Sequence, residues 1–244
     1  AARETDANLL RSPKLVGTGN EVEKFLFYRG VGNFQAPLKV RLLGERGEII
    51  ELANRGDRPL EHLFVYEVRN GSARLRELQS LQAGIAENFI PEKESTWLPL
   101  PEVRAKIAAA MRTALVAEGL YEREAAAMVK TWDDSWFSEP GLRVLYTLPR
   151  KWTDGVLPLQ LTPAPSSLVR VMVGRAELLT PEMEFAVLTE VMRHATGGSA
   201  AKATAVENVR RLGLGRFGPQ ALDRIMSRMP VVPALSEARS VLDR

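Results

Sequence analysis

Turn signals recur at short, nearly regular intervals in the first hundred residues, and this spacing restricts the possible folds more than any other feature. Gly44-Glu45-Arg46-Gly47, the run from Asn54 to Pro59, and Asn70-Gly71 separate apolar stretches at 38–43, 48–52, 62–68 and 73–78. An earlier run, Phe25-Leu26-Phe27-Tyr28, ends in Arg29-Gly30-Val31-Gly32-Asn33 and reads as a strand stopped by glycines. Asn-Gly tolerates the two left-handed positions of a type I′ hairpin. Strands spaced about ten residues apart predict an antiparallel β-sandwich, placed at 21–99 after a polar segment at 1–20. Stretch 62–68 alternates only partly between apolar and polar residues, so both its faces are expected to be covered.

The texture changes at Pro99-Leu100-Pro101. Val103, Ile107, Met111, Ala114 and Leu115 recur at helical spacing until Glu118-Gly119. A second helix carries Ala125, Met128, Val129, Trp132 and Trp136, which puts both indoles on one face. Apolar runs return at 142–148 and 168–178 around a proline-rich passage, so 100–179 is expected to be a small helix-on-sheet block that could complete the first sheet. Thr180-Pro181-Glu182 then has the order of an N-cap, a first-turn proline and an acidic second position. Helices follow, with Ser199 as a further cap, Gly218-Pro219 as another start and a final short helix at 236–242. The expected fold class is α+β: a β-sandwich, a mixed block, and a helical region at 180–244.

Composition removes several kinds of chemistry. The chain has no cysteine, which excludes disulfides, thiolate nucleophiles and cysteine-ligated metals. His62 and His194 are the only histidines, too few for a histidine-rich metal site. His62 reads as a turn-flanking surface residue and His194 as a helix-terminal cation. Formal charge is +3, with 33 basic and 30 acidic residues among 244, which is too balanced for a nucleic-acid or anionic-membrane binder. The charge is mildly segregated, because residues 193–244 hold nine basic and four acidic residues. Dinucleotide, P-loop, zincin, serine-hydrolase and EF-hand motifs are all missing, so neither cofactor nor metal is expected. No apolar run is long enough to cross a membrane. A start at Ala1 without Met, in a polar run, suggests a piece of a longer polypeptide.

The densest polar-aromatic cluster is Thr131-Trp132-Asp133-Asp134-Ser135-Trp136-Phe137, followed by Arg143, Tyr146, Trp152 and Asp154. Indoles beside carboxylates suit a carbohydrate site, in which rings stack on sugars and two acids divide the proton transfers. Neighbouring Asp133 and Asp134 would point about 100° apart on a helix, so Asp154 would have to be the second acid. In that reading Trp132, Trp136, Trp152, Arg143 and Tyr146 bind the ligand. The alternative is that Trp132 and Trp136 fasten the helix to the sheet while Asp133 and Asp134 are solvated or pair with Arg143 or Arg150.

Three segments carry a resemblance: residues 23–34, which include Phe25-Leu26-Phe27-Tyr28-Arg29-Gly30-Val31-Gly32-Asn33-Phe34; Ala127-Met128-Val129-Lys130-Thr131-Trp132-Asp133-Asp134-Ser135-Trp136-Phe137; and Arg143-Val144-Leu145-Tyr146-Thr147-Leu148-Pro149-Arg150. With Val169-Arg170-Val171-Met172-Val173-Gly174-Arg175, they resemble a group of exported bacterial proteins of unassigned function. The resemblance implies an export signal upstream and a periplasmic or envelope location, and it carries over no catalytic residue. Residues 211–222 also resemble HEAT-type helical repeats over less than two units. Together these readings lead to a non-catalytic envelope protein whose helical C-terminal region docks a protein partner. A carbohydrate-active hydrolase using the paired carboxylates and a sugar- or peptide-binding module are the alternatives.

Overall fold

A computed structural model describes residues 4–11, 22–24, 34–162, 164–212, 214 and 218–228. The expected strand at 25–28 with its glycine turn and the final helix at 236–242 lie outside the described residues, as do 213 and 215–217 of the HEAT-like segment.

Two short strands, β1 (Leu10–Arg11) and β2 (Val22–Glu23), pair near the N-terminus. The body begins with β3 (Leu38–Leu43), β4 (Ile49–Asn54), β5 (Leu60–Arg69), β6 (Ser72–Leu81) and β7 (Ala86–Phe89). One helical turn, α1 (Pro91–Glu94), and β8 (Leu98–Pro99) lead into α2 (Leu100–Ala117) and α3 (Glu122–Asp133). After a π-helical turn at Asp134–Ser138 come β9 (Gly141–Leu148), α4 (Arg150–Val156) and β10 (Met172–Leu178). The described chain ends in α5 (Pro181–Thr196), α6 (Ser199–Arg211) and α7 (Gly218–Met226).

The strands form two antiparallel sheets, β3-β4-β7 and β10-β9-β5-β6-β8. Between them lies a core that includes Ile50, Leu52, Leu63, Val65 and Val144, which is the expected sandwich. Strands β9 and β10 of the middle block extend the first sheet, with β9 hydrogen-bonded beside β5. The opposite face of the larger sheet, through Phe64, Tyr66 and Leu145, packs against Ile107 and Met111 of α2 and Val129 of α3. Burial on both faces explains why 63–68 is continuously apolar apart from Glu67. A third core joins Val187 and Val191 of α5 to Val209 of α6 and Leu222 and Ile225 of α7.

Local chemistry accounts for the joints. Asn70 and Gly71 both have positive φ (51° and 74°), as a type I′ hairpin requires. Helix α2 stops at Gly119, whose φ of 104° lets its N–H reach Val116 O while the Leu120 N–H reaches Leu115 O, a Schellman closure. At α5, the Met183 N–H donates to Thr180 Oγ1 at 3.3 Å. Helix α6 differs from its expected start. Gly198 occupies the cap position, and Ser199 is the first helical residue with no capping bond.

His62 also departs from expectation. It lies within β5 at φ 51°, where the pairing with β9 slips by one residue between Glu61 and Phe64. The bulge moves Leu60 and Leu63 onto the same face, toward the sandwich core.

Candidate functional site

Trp132, at the end of α3, and Trp136, in the π turn that follows, stack with ring centroids 6.2 Å apart and planes inclined by 15°. Trp136 is buried and Trp132 is partly exposed. Together with Met128, Val171 and Val173 they line a shallow groove of about 240 Å³ between α3 and β10.

Beyond Asp133 the helix widens into the π turn, which would leave carbonyls without helical partners. Three side chains from the sheet collect them. Tyr66 Oη donates to Phe137 O at 2.8 Å. Arg143 donates to Trp136 O at 3.1 Å, Glu139 O at 2.7 Å and Pro140 O at 2.9 Å. Arg175 donates to Ser135 O and to the Glu139 carboxylate. Glu177 sits beside both guanidiniums, 3.1 Å from Arg143 Nε. Arg143 is fully buried, and loss of solvation pushes its pKa down. Burial likewise pushes the Tyr66 phenol up to about 12. Arg143 therefore serves as an internal brace for the π turn, lying beneath the groove.

The candidate acids are all ion-paired. Arg104 donates through both Nε and Nη2 to the Asp133 carboxylate and reaches Asp134 at 3.2 Å. The hydrogen bond that Arg104 donates to Asp133 raises the Arg104 pKa. Asp154 is held by Arg150 at 3.1 Å and Arg170 at 2.9 Å.

The three indoles do not share a face. Trp152, on α4, packs against the sandwich core, with Phe34 edge-on at 5.4 Å, whereas Trp132 and Trp136 belong to the helix-covered side of the sheet. Tyr146 also faces the sandwich core, and burial raises its phenol to about 12. Its ring crosses Gly174 on the neighbouring strand, where any Cβ would collide with it.

His194 is buried in the last turn of α5, and its Nδ1 has no hydrogen-bond partner among the described residues. Among the described residues, no group of three or more histidine or carboxylate side chains is placed to hold a metal ion, and no helix is long and apolar enough to cross a membrane. Sequence reasoning passed over Glu139, Arg175 and Glu177, which complete the network under the Trp pair. Arg175 and Glu177 alternate with small and apolar residues on β10, and that pattern does not distinguish an inward charge from a solvated one. No family model, curated protein or solved structure matches this chain.

Proposed function

We propose that the chain is a non-catalytic protein-interaction or structural subunit of the bacterial envelope, docking its partner through the C-terminal helical region. The observation that carries this reading is the placement of the acids. Asp133 and Asp134 meet Arg104 of α2 on the helix-covered side of the larger sheet, whereas Asp154 belongs to α4, whose Trp152 packs on the sandwich side, and it meets Arg150 and Arg170. A glycosidase needs two carboxyl groups facing one another across a single bond, and these belong to different faces of the sheet. Partner binding by the helices is supported by α5, which turns Phe185 (71% exposed) and Met192 (41% exposed) outward one above the other. The envelope location rests on the resemblance of the Trp-containing and Arg143-containing segments to exported proteins.

The test is the mass of the protein isolated in its native state from cell envelopes. A complex heavier than the 27.0 kDa chain, reduced to the lone chain by Phe185→Glu with Met192→Glu, is expected. Recovery of the unmodified protein as a lone monomer would sink the reading. A second reading, a sugar- or peptide-binding module without turnover, is favoured by the partly exposed Trp132 ring in its groove. Quenching of tryptophan fluorescence by oligosaccharide, lost in Trp132→Ala, would favour it.

A further inference from the structure

Two adjoining chambers, of about 220 Å³ and about 520 Å³, open where the end of the larger sheet meets the C-terminal helices. They share Pro140, Gly141, Leu178 and Met183, so they form one cleft. Its size is that of a small-molecule site, roughly 300 to 1,000 Å³, and such sites favour junctions between structural units. The larger chamber is apolar along Leu142, Leu178, Met183, Ala186 and Leu212.

The charges around the cleft nearly cancel. Glu139 and Glu177 are matched by Arg175 and Arg143, Glu67 by Arg74, and Arg211 by Glu207. Arg69 and Glu182 both line the larger chamber. Arg224 of α7 remains, exposed at the smaller chamber and without a partner among the described residues. The residues lining the cleft thus include four arginines and four glutamates, which cancel, and Arg224 stands at one end as a guanidinium that no described carboxylate engages.

We propose that this cleft binds a monocarboxylate with an apolar acyl or aryl body, its head on Arg224 and its body along Leu178 and Met183. A single unengaged guanidinium matches a carboxylate better than a phosphate monoester, which carries about −1.5 to −2 at neutral pH. A guanidinium also meets a carboxylate through two parallel hydrogen bonds. The proposal is independent of partner docking, because Phe185 and Met192 do not line the cleft.

Calorimetric titration of the full chain with decanoate, decanol and decylamine tests it. Decanoate should bind at one site per chain, at least about tenfold more tightly than decanol, and decylamine should bind no better than decanol. Arg224→Gln, at an exposed position, should weaken decanoate about tenfold and leave decanol unchanged. Met183→Trp, with folding checked by circular dichroism, should fill the slot and abolish both. The proposal is overturned by absence of saturable decanoate binding, by equal affinity for decanol, or by an Arg224→Gln variant that binds decanoate as the parent does.

Discussion

Replacing Arg143 with methionine should expose how much the fold depends on the brace beneath the Trp pair. The substitution keeps much of the aliphatic volume but removes the donors to Trp136 O, Glu139 O and Pro140 O. Glu177 retains Arg175, so the carboxylate is not orphaned, and the loss falls mainly on the three carbonyls. A buried acceptor left unsatisfied costs about 1 to 3 kcal/mol. Of the three bonds only that to Trp136 O is fully buried, and water can reach the other two, so a total of about 2 to 4 kcal/mol is expected. For a chain of this size that corresponds to a fall in Tm of roughly 4 to 16 °C. Arg143→Lys should recover only a minor part, because an ammonium cannot span three divergent carbonyls as a guanidinium does. Urea titration followed by far-ultraviolet circular dichroism, with tryptophan fluorescence reporting the π turn, measures both variants. A loss below about 1 kcal/mol for methionine, or a lysine variant as stable as the parent, would refute the bracing role.

Two further outcomes follow from the aromatic residues. Burial raises the Tyr66 and Tyr146 phenols to about 12, whereas an unfolded tyrosine titrates near about 10. The folded chain therefore holds protons that the unfolded chain has lost, so this stabilisation is complete below about pH 10 and disappears as pH rises towards about 12. Denaturation at stepped alkaline pH should show that decline, and Tyr66→Phe with Tyr146→Phe should flatten it. Gly174→Val should destabilise by about 1 to 3 kcal/mol through collision with the Tyr146 ring, and Tyr146→Leu in the same chain should restore part of the loss. Additive effects in that double variant would refute the contact.

Much of the architecture could be read from local chemistry. Asn70-Gly71, the Val103-to-Leu115 stripe and Thr180-Pro181 each act within a few residues, and each marks an element found in the structure. Helix α4 was hidden among prolines. Pro149 and Pro158 bracket it, and proline before a helix is compatible with its start. The bulge at His62 escaped notice because the slip exists only relative to β9, which lies far along the chain. The site was legible in part. The spacing of Trp132 and Trp136 places both on one face, but the separation of Trp152 depends on which side of the sheet α4 covers. Arg150 stands four residues before Asp154 on α4, within reach of helical spacing, but the partner of Asp133 comes from α2 and the second partner of Asp154 from the segment before β10, and no spacing rule reaches across such distances.

The position of β9 has a consequence for how the chain acquires its structure. This strand pairs with β5 in the interior of the larger sheet, and Thr147 Oγ1 bonds to Glu61 O across 86 residues of sequence. The hairpin of β5 and β6 can close early, but one of its long sides stays unpaired until α2, α3 and the π turn have been traversed. Such distant pairing bears the entropy of a large loop before it returns any contact, and it slows folding. A fragment ending near residue 99 would carry β5 as a bare edge of six apolar residues among ten, so it should aggregate rather than fold as a free-standing sandwich.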